Sequence, residues 1–442
     1  MSQILEKPRL PLSSIWNMSL GFLGIQFGFA LQNGNASRIL QKFGADVEHL
    51  SLFWLAAPLT GIIVQPIIGH YSDRTWNRLG RRKPYFLVGA ILSALGLMLL
   101  PNASVLTSVL PPIFIGAGIL MMMDASFNVA MEPFRALVAD NLPDSQRNAG
   151  FSIQTFLIGI GAVLGSWLPY LLAEYGGVAK TAPEGQVEQN VIYSFYIGAA
   201  VLLGAILWTV ITTKEYSPAE HAKYHPESNE EQQKGLLNIF KDFSSMPAAM
   251  RQLGLVQFFS WFALFSMWVF TTPAIAQHVY NVAPGDVSSA AYADAGNWVG
   301  ILFGVYNGVS AIYALLLPGI ARRTSRKAAH AFSLTMGGIG LIAVFFIHEP
   351  MALIFPMIGI GMAWGSILAM PYAILSAHIP AHKMGVYMGI FNFFITFPQI
   401  VNGLLGGFII KYCFNGEAIY ALVLAGVCML CAAAIVMRNK ER

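Results

Sequence analysis

The stretch MMMDASFNVAMEPFRALVAD sets two carboxyls, an amide and a guanidinium in otherwise apolar sequence. Asp124, Asn128, Glu132 and Arg135 are spaced i, i+4, i+8 and i+11, so a helix gathers them into one polar stripe. Low-dielectric surroundings favour a neutral carboxylic acid, whereas an approaching guanidinium favours the carboxylate. Asp124 could therefore take up a proton on one side of a barrier and release it on the other, nearer Arg135 or water. For Glu132 and Arg135 two readings stand: a share in that transfer, or mutual pairing i to i+3 that makes burial tolerable. Asp124 has no basic residue within one turn, which weighs against the pairing reading there without removing it.

A second set could grip a neutral solute. Amides recur at Gln32, Asn33, Asn128, Gln154, Asn307 and Gln399. Trp54, Trp261 and Trp364 stand midway along apolar segments, unlike Trp16 and Trp298, which fall where interfacial belts are expected. Amides bind hydroxyls, and indole faces cover the C–H face of a pyranose. The combination suits a sugar better than an anion, which would want more intramembrane Arg or Lys. Taken singly, any one amide is more readily explained by helix–helix hydrogen bonding; the solute reading rests on the set. Cys413, Cys428 and Cys431 read as small buried apolar residues: Cys428 and Cys431 stand three apart, but no second CxxC accompanies them to complete a zinc site, so no metal or cofactor is expected beyond a coupling proton.

Positioning such groups in apolar sequence requires a membrane bundle. The chain is 56% hydrophobic and 11% charged, with a mean hydropathy of +0.59, against about 25% charged residues in soluble domains. A span needs roughly 20 apolar residues. Segments of that kind lie near 13–37, 49–71, 84–101, 110–139, 148–174, 191–213, 251–280, 296–320, 328–347, 351–378, 384–411 and 416–437. The basic clusters Arg74, Arg78, Arg81, Arg82, Lys83 and Arg322, Arg323, Arg326, Lys327 then share a side with both termini, while Arg38, Lys42, Lys180 and Lys411 face the other. The positive-inside bias makes that first side cytoplasmic, and sequons at Asn35 and Asn102 fall outside. A net charge of +4 gives no reason to expect nucleic acid, and no HExxH, GxSxG or phosphate-binding glycine loop suggests an enzyme.

Six spans, a polar linker and six more spans imply duplication: residues 1–213, a cytoplasmic linker 214–250, and 251–442. EPFRALVAD (132–140) aligns with MPYAILSAH (370–378), matching Pro133, Phe134, Leu137 and Ala139 with Pro371, Tyr372, Leu375 and Ala377. In that register Asp124 meets Met362, Glu132 meets Met370 and Arg135 meets Ala373. The charges belong to one half alone, as one proton site per cycle would require. The fold class expected is an all-α membrane protein of twelve spans in two pseudo-symmetric six-helix bundles.

Three stretches add a resemblance. GHYSDRTWNRLGRRKP (69–84) resembles the 2–3 loop signature of the major facilitator superfamily, with four residues inserted between its DR and GRR parts. FALQNGNASRILQKFGAD (29–46) and DASFNVAMEPFRALVAD (124–140) resemble plant sucrose transporters, their animal solute-carrier relatives and bacterial glycoside–pentoside–hexuronide:cation symporters. The resemblance implies proton coupling through Asp124 and Arg135 and α-glucoside substrates such as sucrose or maltose. Glu132 departs from it, standing where the plant proteins have a small residue. Gly69, Asp73, Arg74, Gly80, Arg81 and Arg82 would form a conformational latch bridging helix ends; Arg78 and Lys83 serve equally well as topology signals facing anionic lipid.

The function expected is a proton-coupled sugar importer working by alternating access. It would be a lipid-embedded monomer in a bacterial inner membrane, with both termini cytoplasmic. The alternative is a proton-driven exporter of a small metabolite or drug, sharing the fold and Asp124.

Overall fold

The computed structural model describes residues 7–106, 110–217, 220, 223, 246, 248–376 and 384–438. Thirteen α-helices are used below: α1 Leu12–Lys42, α2 Leu50–Trp54, α3 Ala56–Arg74, α4 Lys83–Leu99, α5 Pro112–Asn141, α6 Asp144–Glu174 and α7 Gln189–Thr212, then α8 Ala248–His278, α9 Ala290–Arg323, α10 Arg326–Ala343, α11 Ile354–Ser376, α12 Met384–Cys413 and α13 Ile419–Arg438. α2 and α3 together make one pass, and among the described residues twelve helical segments are long and apolar enough to cross a bilayer. The chain is a multi-pass membrane protein. Twelve passes bring both termini to one end of the bundle, here the terminal end; the opposite end is the distal end.

Helices are forced here because lipid offers no partner for backbone N–H and C=O groups. Pro133, Pro169, Pro273, Pro318, Pro371 and Pro398 nevertheless lie inside them, where each removes one ladder hydrogen bond. Pro133 and Pro371, matched in the sequence repeat, occupy corresponding helices.

Among the first seven helices, α1 packs on α6 and α7, α4 on α5 and α7, and α3 on α5. Among the last six, α8 packs on α12 and α13, α10 on α11 and α13, and α9 on α11. The two sets meet where α6 faces α9, where α12 faces α2 and α3, and where α1 faces α8 and α9. Close approach of α1 and α6 depends on Gly161 and Gly165, where an added Cβ would lie 2.3 Å from the Leu23 carbonyl and 2.5 Å from that of Phe27.

Three expectations change. α1 does not end near residue 37: it continues through Arg38 and Lys42, which are buried in the helix rather than exposed in a loop. Asn35 is likewise buried, its amide donating to the Leu31 carbonyl at 2.9 Å, so it is no accessible sequon in this state. Cys413 and Cys431 are exposed on the bundle and Cys428 is half-buried, so the cysteines are not core residues. Apolar character could not distinguish the protein interior from lipid contact.

Candidate functional site

α5 carries the polar stripe. Asp124 lies about 18 Å along the helix from Pro112, at 1.5 Å per residue, and is 3% exposed. Gln32 Nε2 of α1 donates to Asp124 Oδ1 at 2.5 Å, so a neutral amide is its partner among the described side chains. One turn on, Asn128 donates to the Asp124 carbonyl at 3.0 Å and accepts from Gln65 Nε2 at 2.8 Å. The stripe thus joins α1, α3 and α5. Glu132 and Arg135 continue α5; their side chains lie outside the described ones. The repeat counterparts Met362 and Met370 pack with Tyr313, Leu317 and Ala329 in an apolar cluster, so the second half offers no comparable proton acceptor at those positions.

The predicted solute-binding residues separate into groups. Gln32 joins Asp124, and half-buried Asn33 follows it on α1. Gln154 of α6 is buried, its Oε1 without a hydrogen-bond donor among the described residues. Trp261 and Trp364 meet edge to face, with centroids 5.8 Å apart. Asn307 and Gln399 are half-buried and donate to the carbonyls of Phe303 and Ile395 within their own helices, at 2.9 and 3.1 Å. Trp54 stands apart. It is buried near the distal end, donates to Ser37 Oγ at 3.0 Å and packs against Phe265 across the halves.

That distal region is a closure layer which sequence reasoning missed. Arg38 Nη2 lies 3.3 Å and Lys42 Nζ 3.1 Å from Glu188 Oε1, with side-chain exposures of 0–1%. Arg38 Nη1 also donates to Asn297 Oδ1 at 2.7 Å, and Asn190 Nδ2 to the same oxygen at 2.9 Å. Tyr292 donates to Gln41 at 2.9 Å and lies beneath the Lys42 ammonium. Ser37 donates to the Val269 carbonyl at 2.7 Å. At the rim, Lys180 pairs with Asp294 at 2.6 Å and Lys411 with Glu48 at 2.7 Å. Hydrogen bonding to Asp294 raises the Lys180 ammonium above its usual range. All these contacts except Arg38 and Lys42 with Glu188, and Trp54 with Ser37, link the two halves. The available signal was the i, i+4 spacing of Arg38 and Lys42; Glu188 lay too far along the chain to be matched with them.

At the terminal end, described contacts tie the 2–3 loop to α5 and to the linker. Arg81 Nη2 and Arg82 Nε donate to Asp140 Oδ2 at 2.5 and 2.7 Å. Glu215, in the linker, accepts the backbone N–H groups of Arg81, Arg82 and Lys83 at 2.8, 3.0 and 2.9 Å, so a carboxylate sits on the α4 N-terminus. Gly80 turns there at φ +126°, and any Cβ would lie 2.8 Å from Glu215 Oε1. The Lys83 ammonium donates to the Thr213 carbonyl. Gly69, Asp73 and Arg74 end α3; the Asp73 and Arg74 side chains are outside the described ones. Among the described residues, no group of three or more His, Cys, Asp or Glu could hold a metal ion.

The sequence profile of the Major Facilitator Superfamily matches residues 18–403. The chain belongs to that superfamily. A sucrose transport protein of Arabidopsis thaliana is 26% identical over 425 residues, covering 87% of this chain and 81% of its own. A general alpha-glucoside permease of Schizosaccharomyces pombe is 26% identical over 289 residues, or 60% of this chain and 49% of the permease. Among solved structures, a nucleoside transporter superposes with a TM-score of 0.70 at 14% identity, covering 96% of this chain and 100% of that one. The xylose transporter XylE of E. coli gives 0.66 at 14% identity, with 97% and 99% covered. These likenesses establish the major facilitator fold, and relatives and neighbours alike are transporters. The protein is a transporter, not an enzyme.

Proposed function

We propose that this protein imports a neutral sugar, an α-glucoside disaccharide such as maltose or sucrose, together with a proton. The observation that carries the coupling is Asp124: a carboxyl 3% exposed, held by a neutral amide from α1, on the helix whose repeat counterpart is apolar there. A carboxylate at such depth is costly, so its protonation changes the local energetics by an amount that a conformational equilibrium can use. Gln32 ties that event to α1, the helix that bears Arg38 and Lys42 of the closure layer about 9 and 15 Å further on. Protonation and distal closure thus act on one rigid element.

The sucrose and α-glucoside names of the relatives support the substrate class, and the amide and indole groups suit it. The basic clusters at the terminal end support a cytoplasmic location for both termini, making the distal end external and the described state closed to the outside. The short 2–3 loop, bound to Asp140 and Glu215, would keep the first half rigid as the halves rock. The cell inner membrane and a monomeric state complete the proposal. Its test is uptake of labelled sucrose and labelled maltose into liposomes with an imposed inside-alkaline pH gradient. Gradient-dependent accumulation of either supports it; proton-driven expulsion from the liposomes with neither sugar taken up refutes it.

A further inference from the structure

Gln257, Trp261 and Trp268 are spaced i, i+4 and i+11 along α8 and therefore share a face. Trp364 of α11 sets its ring edge-on to both indoles, with centroids 5.8 Å from Trp261 and 5.6 Å from Trp268 at interplanar angles of 81° and 87°. The two α8 indoles are themselves 6.2 Å apart. Trp268 Nε1 donates to the Tyr306 hydroxyl of α9 at 3.0 Å, which fixes that ring. Three helices thus build one corner of indoles. Trp268 and Trp364 remain half-buried, so part of their surface is accessible, while Trp261 is 9% exposed.

The same corner holds polar atoms with unmet capacity. Among the described residues, Trp261 Nε1 has no acceptor, and fully buried Gln257 has neither a donor for Oε1 nor an acceptor for Nε2. Packing alone does not justify such groups, because each carries the full desolvation penalty. An apolar side chain of similar shape would pack at lower cost. Hydroxyl groups both donate and accept, so a polyol can satisfy an indole N–H and both ends of an amide. An anion accepts only, and would leave Gln257 Oε1 unmet. An aromatic corner adds the second half of the recognition. A glucopyranosyl ring with equatorial hydroxyls presents flat C–H faces to an indole, whereas an axial C4 hydroxyl interrupts one of them.

Resting on the sugar reading above, we propose that Gln257, Trp261, Trp268 and Trp364 form the docking corner for the glucopyranosyl ring. The ring stacks on Trp268 and Trp364, and its hydroxyls bond Trp261 Nε1 and Gln257. Tyr306 is a positioning residue that holds Trp268 in register.

Thermal melting of the purified protein, titrated with maltose, methyl α-glucoside and methyl α-galactoside, tests this through apparent Kd. The parent protein is stabilised by both glucosides and less by the galactoside. Gln257→Leu melts at or above the parent without sugar, since an unmet amide is gone, yet binds maltose on the order of tenfold more weakly. Trp364→Leu weakens binding by about tenfold, and Trp364→Phe recovers to within about threefold. Tyr306→Phe raises KM for maltose transport a few-fold at unchanged kcat. If Gln257→Leu and Trp364→Leu keep the parental Kd for maltose, the corner is refuted while sugar binding stands. If the parent responds to neither glucoside, both the corner and the sugar reading fall.

Discussion

Glu188→Gln should open the distal face. The carboxylate is the ionic partner of both Arg38 at 3.3 Å and Lys42 at 3.1 Å, in a region with almost no solvent exposure. Removing one partner of a buried ion pair costs about 3–5 kcal/mol, because the remaining charge is left dry. Part of that cost is specific to the closed state. The second half covers both cations, with Gly296 and Asn297 against Arg38 and the Tyr292 ring under Lys42. Separation of the halves returns water to them. Assigning about 2–3 kcal/mol to the closed state alone shifts the equilibrium toward opening by about 30- to 150-fold. The reporter is Ala276→Cys, on α8 beside Gln41 and Tyr292 in the seam between the halves, in a background with Cys413, Cys428 and Cys431 replaced, because two of these are exposed. Labelling by a membrane-impermeant maleimide from outside should accelerate in Glu188→Gln toward that factor. A double variant with Arg38→Gln should recover part of the closure. A labelling rate within twofold of the background, with melting temperature unchanged, would show that the buried charges do not hold the face shut.

Two further substitutions probe packing and the rim. Gly161→Ala forces a Cβ to 2.3 Å from the Leu23 carbonyl and should lower stability by about 1–3 kcal/mol, whereas Gly34→Ala meets nothing within 4 Å and should be neutral or stabilising; melting in detergent distinguishes them. The exposed Lys180–Asp294 pair is worth about 0–1 kcal/mol. Its ammonium is raised from 10.5 by Asp294, so the contribution is full below that value and fades as pH rises through the higher folded one. Lys180→Met should therefore cost the same small amount at pH 6 and 8 and nothing at strongly alkaline pH, by melting difference.

The number of spans and the polar stripe on α5 were legible because both are local: apolar runs of sufficient length and an i, i+4, i+8 spacing need no partner. Asp124 was identifiable for the same reason. Its pairing with Gln32 was not, since an amide gives no sign of which helix it will face. Arg38 and Lys42 show the limit most clearly. Their charge ended the apolar count five residues early, and Glu188, far along the chain, supplies the counter-charge that makes their burial in α1 tolerable. Trp54 was grouped with Trp261 and Trp364 by depth, but Ser37 and Phe265 place it in the closure layer. In the 2–3 loop the glycine and arginines stood out as a motif, while Glu215 lay hidden among the linker's other acidic residues. Its role follows from three N–H groups converging at the start of α4.

Coupling through Asp124 is tested most directly by proton flux in proteoliposomes carrying a lumenal pH dye, without an imposed gradient. A pulse of external maltose or sucrose should acidify the lumen with the parent protein. With Asp124→Asn, sugar-driven acidification and uphill accumulation should both vanish, while exchange of labelled for unlabelled sugar persists. Acidification by the Asn variant at the parental rate would contradict the assignment of the coupled proton to Asp124.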